Sequence, residues 1–322
     1  MTNGSRITRI NPDDPRVTSA AGAERRLFEH YGLAFTVHHV ELKQPKIRVR
    51  VLEAGSGPPV VMVPGGSGDA VWFIPLMAHL TGWRLIAVNR PGGGMSDGVD
   101  HRQVDVRHLA VETLVTVLDV FGLKRVPVIG NSMGGLWTFW LALDRPERVS
   151  MMVQLGCPAL ILNTSAPFFM RLMTVPIVDR VIVRAMQPQN SKKAHDGLRF
   201  MGTRQEVIDA MPDVSAEAAY HFFHLPTYVE TWLSIIKAAA TLRGAKPRYQ
   251  LRVEQLRRIR QPVLFIWGDN DPFGSLDVAR QATSLVPEAR LHTLAAGHLP
   301  FVDNPAECGR VIRDFLATAK SM

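Results

Sequence analysis

In Val128-Ile129-Gly130-Asn131-Ser132-Met133-Gly134-Gly135 a serine stands between two glycines at the spacing G-x-S-x-G. The apolar residues 126–129 just before it read as a short buried strand. Residues 136–143 after it read as a helix that stops at Asp144-Arg145-Pro146. A chain that turns from strand to helix within so few residues is forced into a strained bend, and Ser132 at its tip is pushed out where a substrate can reach it. Gly130 and Gly134 lack the Cβ atoms that would collide as helix and strand close on each other.

Strand patterns continue on both sides of this bend. Residues 37–42 and 47–52 form a pair joined near Gln44-Pro45. Residues 60–63 and 84–88 are continuous apolar runs of the kind a strand covered on both faces needs. Residues 149–155, 263–267 and 290–294 complete eight candidate strands. A helix is expected from about Asp105, because Val106, Leu109, Ala110, Leu114, Val117 and Leu118 recur on one face. Helical patterns between most strands predict a mostly parallel α/β sheet with helices on both faces. The stretch 156–255 breaks the alternation with helices predicted at 168–173, 178–186, 207–211, 216–223 and 228–242, and it reads as a helical cap, or lid, inserted into a core of 36–155 and 256–322. Residues 1–35 are an N-terminal extension with a short helix at 23–31.

A serine hydroxyl needs a base to become nucleophilic at neutral pH, and the base needs a carboxylate to orient it. His298, in the loop Ala295-Ala296-Gly297-His298-Leu299-Pro300 past the last strand, is the candidate base. Gly268-Asp269-Asn270-Asp271-Pro272 follows the strand at 263–267 and supplies the acid. Asp271 is favoured and Asp269 competes with it; the one not used is a turn or cap carboxylate. The order Ser, Asp, His fits this motif class. Two backbone N–H groups must face the oxygen that becomes negative. Met133, just after the nucleophile, is one candidate. Gly66, in Pro64-Gly65-Gly66-Ser67-Gly68, is the other, with Ser67 as the alternative. Ser67, Asn131, Phe168 and Leu299 are the expected substrate contacts. The glycine-rich Asn89-Arg90-Pro91-Gly92-Gly93-Gly94-Met95-Ser96-Asp97 lacks the residues of a nucleotide-phosphate loop.

Composition narrows the classes. The 322 residues, 46% hydrophobic and 20% charged, describe a globular protein slightly larger than one core usually supports. The net charge of +8 is scattered in pairs and triplets rather than clustered, which argues against a nucleic-acid surface. Two cysteines suggest no disulfide framework, and a reducing, cytoplasmic location is the simpler expectation. No apolar stretch is long enough for a membrane span. The expected partner is a small molecule, with a homodimer allowed, and neither a metal nor an organic cofactor is needed.

Together these segments resemble the α/β-hydrolase superfamily over about residues 45–155 and 256–315. The elbow at Ser132, the turn at Asn89–Asp97, the acid loop ending in Asp271 and the histidine loop Gly297-His298-Leu299-Pro300-Phe301 are each similar to the family's motifs. The resemblance implies Asp271 as the triad acid and an α/β-hydrolase fold. Two positions depart from it. Pro64 stands where the oxyanion loop usually has histidine, and Leu299 stands where carbon–carbon bond hydrolases usually have tryptophan. Ser132 argues against the aspartate-nucleophile chemistry of haloalkane dehalogenases and epoxide hydrolases. The expected activity is therefore hydrolysis of an ester or related acyl bond of a small to medium apolar substrate through an acyl-enzyme. Carbon–carbon cleavage of a dienoate ranks second, and a ligand receptor without turnover third.

Overall fold

The computed structural model describes residues 7–66 and 68–318. Eight strands form one sheet: β1 (Phe35–Lys43), β2 (Lys46–Ala54), β3 (Pro59–Val63), β4 (Arg84–Val88), β5 (Val126–Asn131), β6 (Val149–Leu155), β7 (Val263–Gly268) and β8 (Ala289–Leu294). The spatial order is β8-β7-β6-β5-β3-β4-β2-β1, and every neighbouring pair is parallel except β1 with β2 and β2 with β4. All eight predicted strands are present and together form this sheet.

The strands lack polar alternation because both faces are covered. Successive side chains point to opposite faces. Val61 and Val63 join one core with the helices α2 (Val106–Val120) and α3 (Ser132–Asp144), whereas Val60 and Met62 join a second core with residues of α1 (Pro15–His30) and the C-terminal helix Pro305–Ala317. Asp105 starts α2 as expected, its carboxylate accepting the N–H groups of Arg107 and His108 at 2.9 and 3.1 Å.

The segment between β6 and β7 carries five α-helices of five residues or more: α4 (Phe168–Leu172), α5 (Val178–Met186), α6 (Gln205–Ala210), α7 (Asp213–Phe223) and α8 (Tyr228–Ala239). Its last helix ends earlier than the expected residue 242, because Ala240–Thr241 pairs with Gly244–Ala245 in a tight hairpin. The extension also differs from its sequence reading. The helix begins at Pro15 rather than near residue 23, because Asp14 accepts the N–H of Arg16 at 2.9 Å and proline suits the first helical position.

Two polar contacts join separate layers. The buried carboxylate of Glu24 on α1 accepts both Arg50 guanidinium nitrogens of β2, at 3.0 and 2.5 Å. Buried His101, in the loop before α2, has Nδ1 2.9 Å from the Ser234 hydroxyl on α8. No helix among the described residues is long and apolar enough to cross a membrane.

Replacing Glu24 with Ala leaves Arg50 buried and unpaired, and a loss of about 3–5 kcal/mol is expected by denaturant unfolding. His101 adds an acid sensitivity. Burial, helped by the Arg90 charge, pulls its pKa from 6.5 down to about 3, so the unfolded chain binds the proton first. Its contribution is fully present above about pH 6.5 and falls toward pH 3, by up to about 1.4 kcal/mol per pH unit. Urea titrations across this range should show a shallower pH slope for His101→Asn.

Candidate active site

The first turn of α3 follows β5 directly, and Ser132 has φ of 51°. A non-glycine residue there costs roughly 1–3 kcal/mol and persists where its surroundings over-determine it. Close backbone packing supplies that constraint. A Cβ on Gly134 would lie 2.0 Å from the Val63 carbonyl oxygen, and one on Gly65 would lie 2.7 Å from the Ser132 Cβ. A Cβ on Gly130 would meet the Gly135 Cα at 2.7 Å. Both motif glycines are thus sites of close approach, although Gly134 closes on the end of β3 rather than on its own strand.

The loops after β3, β5, β6, β7 and β8 all emerge at the same edge of the sheet, as expected for the carboxyl ends of parallel strands. There His298 Nδ1 lies 3.0 and 2.9 Å from the two oxygens of Asp271. The carboxylate can only accept, so Nδ1–H donates and Nε2 is left as the basic nitrogen. Nε2 is buried and has no hydrogen-bond partner among the described residues. The imidazole stacks on Phe273, with ring centroids 3.9 Å apart. Asp271 is itself held by N–H groups, Cys157 donating to Oδ2 and Phe273 to Oδ1, each at 2.8 Å. Asp269 is exposed, accepts the Ala296 N–H at 3.1 Å and pairs with Arg204 at 3.3 Å. It staples the histidine loop, and Asp271 is the aspartate that meets the imidazole.

Arg90 arranges the loop after β3. Its guanidinium donates to the carbonyls of Pro64, Gly65 and Gly66 at 2.9, 3.1 and 2.5 Å. In a trans peptide the next N–H points the opposite way from the carbonyl. The Gly65 and Gly66 N–H groups are therefore turned away from Arg90. Burial pulls the Arg90 pKa down to about 10, against the opposing pull of Asp69, so it stays charged at neutral pH. On the other side, Asn131 makes no side-chain cap to α3, and the first-turn N–H groups, Met133 among them, have no intrahelical acceptor.

A cavity of about 790 Å³ lies over this edge, lined on the sheet side by Gly66, Asn131, Ser132, His298 and Leu299 and on the helical side by Phe169, Met186, Phe200 and Trp232. Its charged lining among the described residues is Asp69, Lys193 and Asp196. Of the expected substrate contacts, Leu299 lines the cavity. Asn131 lines it too, but its amide nitrogen is committed to the Leu155 and His298 carbonyls at 2.7 and 3.3 Å. Phe168 is a correction: it is 60% exposed and lies beside Arg171, because α4 begins there and turns Phe169 inward in its place. Ser67 lies outside the described residues.

Sequence reasoning missed three supports. Arg90 stands in a glycine-rich turn, but nothing in the sequence points to its backbone-carbonyl partners. Phe273 and the Met201 carbonyl, which accepts the His298 N–H at 2.7 Å, carried no signal.

The profile described as alpha/beta hydrolase fold matches residues 58–305. The chain belongs to that family, and it is a hydrolase of the α/β fold. Among curated relatives it is 24% identical over 278 residues to a 2-hydroxy-6-oxononadienedioate/2-hydroxy-6-oxononatrienedioate hydrolase of a Pseudomonas species, covering 84% of this chain and 92% of that protein. It is 27% identical over 281 residues to the 2-hydroxy-6-oxo-6-phenylhexa-2,4-dienoate hydrolase of Comamonas testosteroni, covering 82% and 89%. In structure it is similar to naproxen esterase (carboxylesterase NP) of Bacillus subtilis, with a TM-score of 0.70 at 20% identity, covering 94% and 99%.

Gly134→Ala sets a Cβ against backbone that cannot yield. A loss of about 1–3 kcal/mol is expected, read as a lower thermal midpoint.

Proposed function

We propose that this hydrolase is a serine esterase in which Ser132 attacks an ester carbonyl, His298 is the base and Asp271 orients it. The observation that carries the reading is the His298–Asp271 pair on the same cavity as a serine in a positive-φ bend. Nε2 takes the Ser132 proton as the Oγ–carbon bond forms, and the tetrahedral oxyanion is met by the N–H groups of Gly66 and Met133. As the carbon–oxygen bond to the leaving group breaks, Nε2 returns the proton to that oxygen. Water then repeats the sequence on the acyl-enzyme and frees the acid. The segment 156–255 acts as the lid of the apolar site.

The second reading is carbon–carbon bond hydrolysis, favoured by what the curated relatives are named for. A dianionic dienedioate would find a single lysine, Lys193, among the basic side chains of the cavity lining, beside the acidic Asp196, and this supports the ester reading over a dienedioate.

A fluorophosphonate probe should label the wild-type protein and not Ser132→Ala. Absence of label on the folded wild type would refute the assignment. In turnover of a p-nitrophenyl ester, Asp271→Asn should lower kcat by about 10⁴-fold. Asp269→Asn should change kcat far less, and the reverse pattern would exchange the two roles. Faster turnover of a dienoate than of any ester would favour the second reading.

A further inference from the structure

We propose that the substrate is an ester joining a short acyl group, of about two to four carbons, to a large apolar alcohol; this rests on the serine-esterase reading above. Ser132 and Gly66 line two cavities at once, the one of about 790 Å³ and a second of about 70 Å³. The smaller is walled mainly by apolar residues, among them Met133, Ile235, Ile236 and Ala239, with Thr164 and Ser165 also in its lining, and Met170, Trp232 and Phe273 line both. An apolar cavity near 150 Å³ takes a benzene ring, so one about half that size takes roughly three carbons. The larger has the volume of a site for a whole drug-sized molecule.

The two sides are not interchangeable. His298 lines the larger cavity and not the smaller, whereas Met133 lines the smaller and not the larger. The bond from the carbonyl carbon to the leaving oxygen breaks as that oxygen takes its proton from Nε2, so the alcohol lies on the imidazole side, in the larger cavity. The remaining substituent of the carbonyl carbon, the acyl chain, then points past Gly66 and Met133 into the smaller one. Deacylation requires the same placement. The attacking water must lose its proton to Nε2, so it approaches from the side the alcohol has vacated. A long acyl chain lying there would block it, and a short chain in the small cavity leaves the path clear.

The test uses two isomeric esters with the full-length protein, dodecyl acetate and ethyl dodecanoate, dispersed identically. Dodecyl acetate should have the higher kcat/KM by at least about tenfold, the scale on which a pocket discriminates by a few methylenes. Equal rates, or a preference for ethyl dodecanoate, overturn the proposal. A protein that takes the fluorophosphonate label but cleaves neither ester overturns the substrate class while the serine assignment stands. A folded protein that does not label overturns the serine assignment itself. Ile236→Ala, which lengthens the small cavity, should move the optimum of a p-nitrophenyl acyl series toward longer chains by about two carbons. An unmoved optimum in a folded Ile236→Ala protein also counts against the proposal.

Discussion

The backbone bend at Ser132 is the constraint on which the site depends. A side chain at φ of 51° is unfavourable in isolation, and it survives here because β3, β5 and α3 meet with no room for a Cβ at Gly130 or Gly134. Sheet packing therefore holds the hydroxyl at the tip of the bend. The same bend opens α3 at the sheet edge and leaves its first N–H groups without intrahelical acceptors. In the proposed mechanism one backbone event would supply both nucleophile and oxyanion donor, and the two proposed functions would sit on adjacent residues.

Around this bend the polar groups are held from several directions. Asp271 accepts two backbone N–H groups before it meets His298, so the carboxylate is oriented without the histidine. Arg90 binds three consecutive carbonyls and lies over Trp137 of α3, 5.1 Å from its ring. A buried cation is costly unless its donors are satisfied. Here the guanidinium satisfies carbonyls of an irregular loop that has no strand partner for them, so one buried charge stabilises the shape of a whole turn. Met201 and Gly202, from the segment between β6 and β7, accept from His298 and Asn270, so the inserted segment also braces the histidine and acid loops.

Most of the sheet was legible in the sequence because its signal is local. Apolar runs such as 60–63 and 84–88 can satisfy both faces of a covered strand, and all eight came within two residues of their observed limits. The helix start capped by Asp105 was equally readable, whereas the one capped by Asp14 was missed, and the end of α8 was not readable because a hairpin partner five residues ahead overrides an apolar helical pattern. At the site, Ser132, His298 and Asp271 were legible as residue types in loops after strands. Which of Phe168 and Phe169 faces inward was not, since that depends on where a five-residue helix begins. The clamp by Arg90 was hidden for a related reason: its partners are backbone carbonyls, which every residue has.

The inserted segment is tied to the core at several points along its length. Arg26 of α1 pairs with Glu217 of α7 at 2.7 Å, and His101 meets Ser234 of α8, so the later half of the segment is moored to the sheet layers. Val181 and Phe200 belong to the earlier half, and each both lines the large cavity and stands more than half exposed, at 64% and 52%. Residues with one side in the cavity and the other in solvent mark its mouth. The doorway is therefore oily, and an incoming molecule sheds hydration at the threshold, before any of it has reached Ser132.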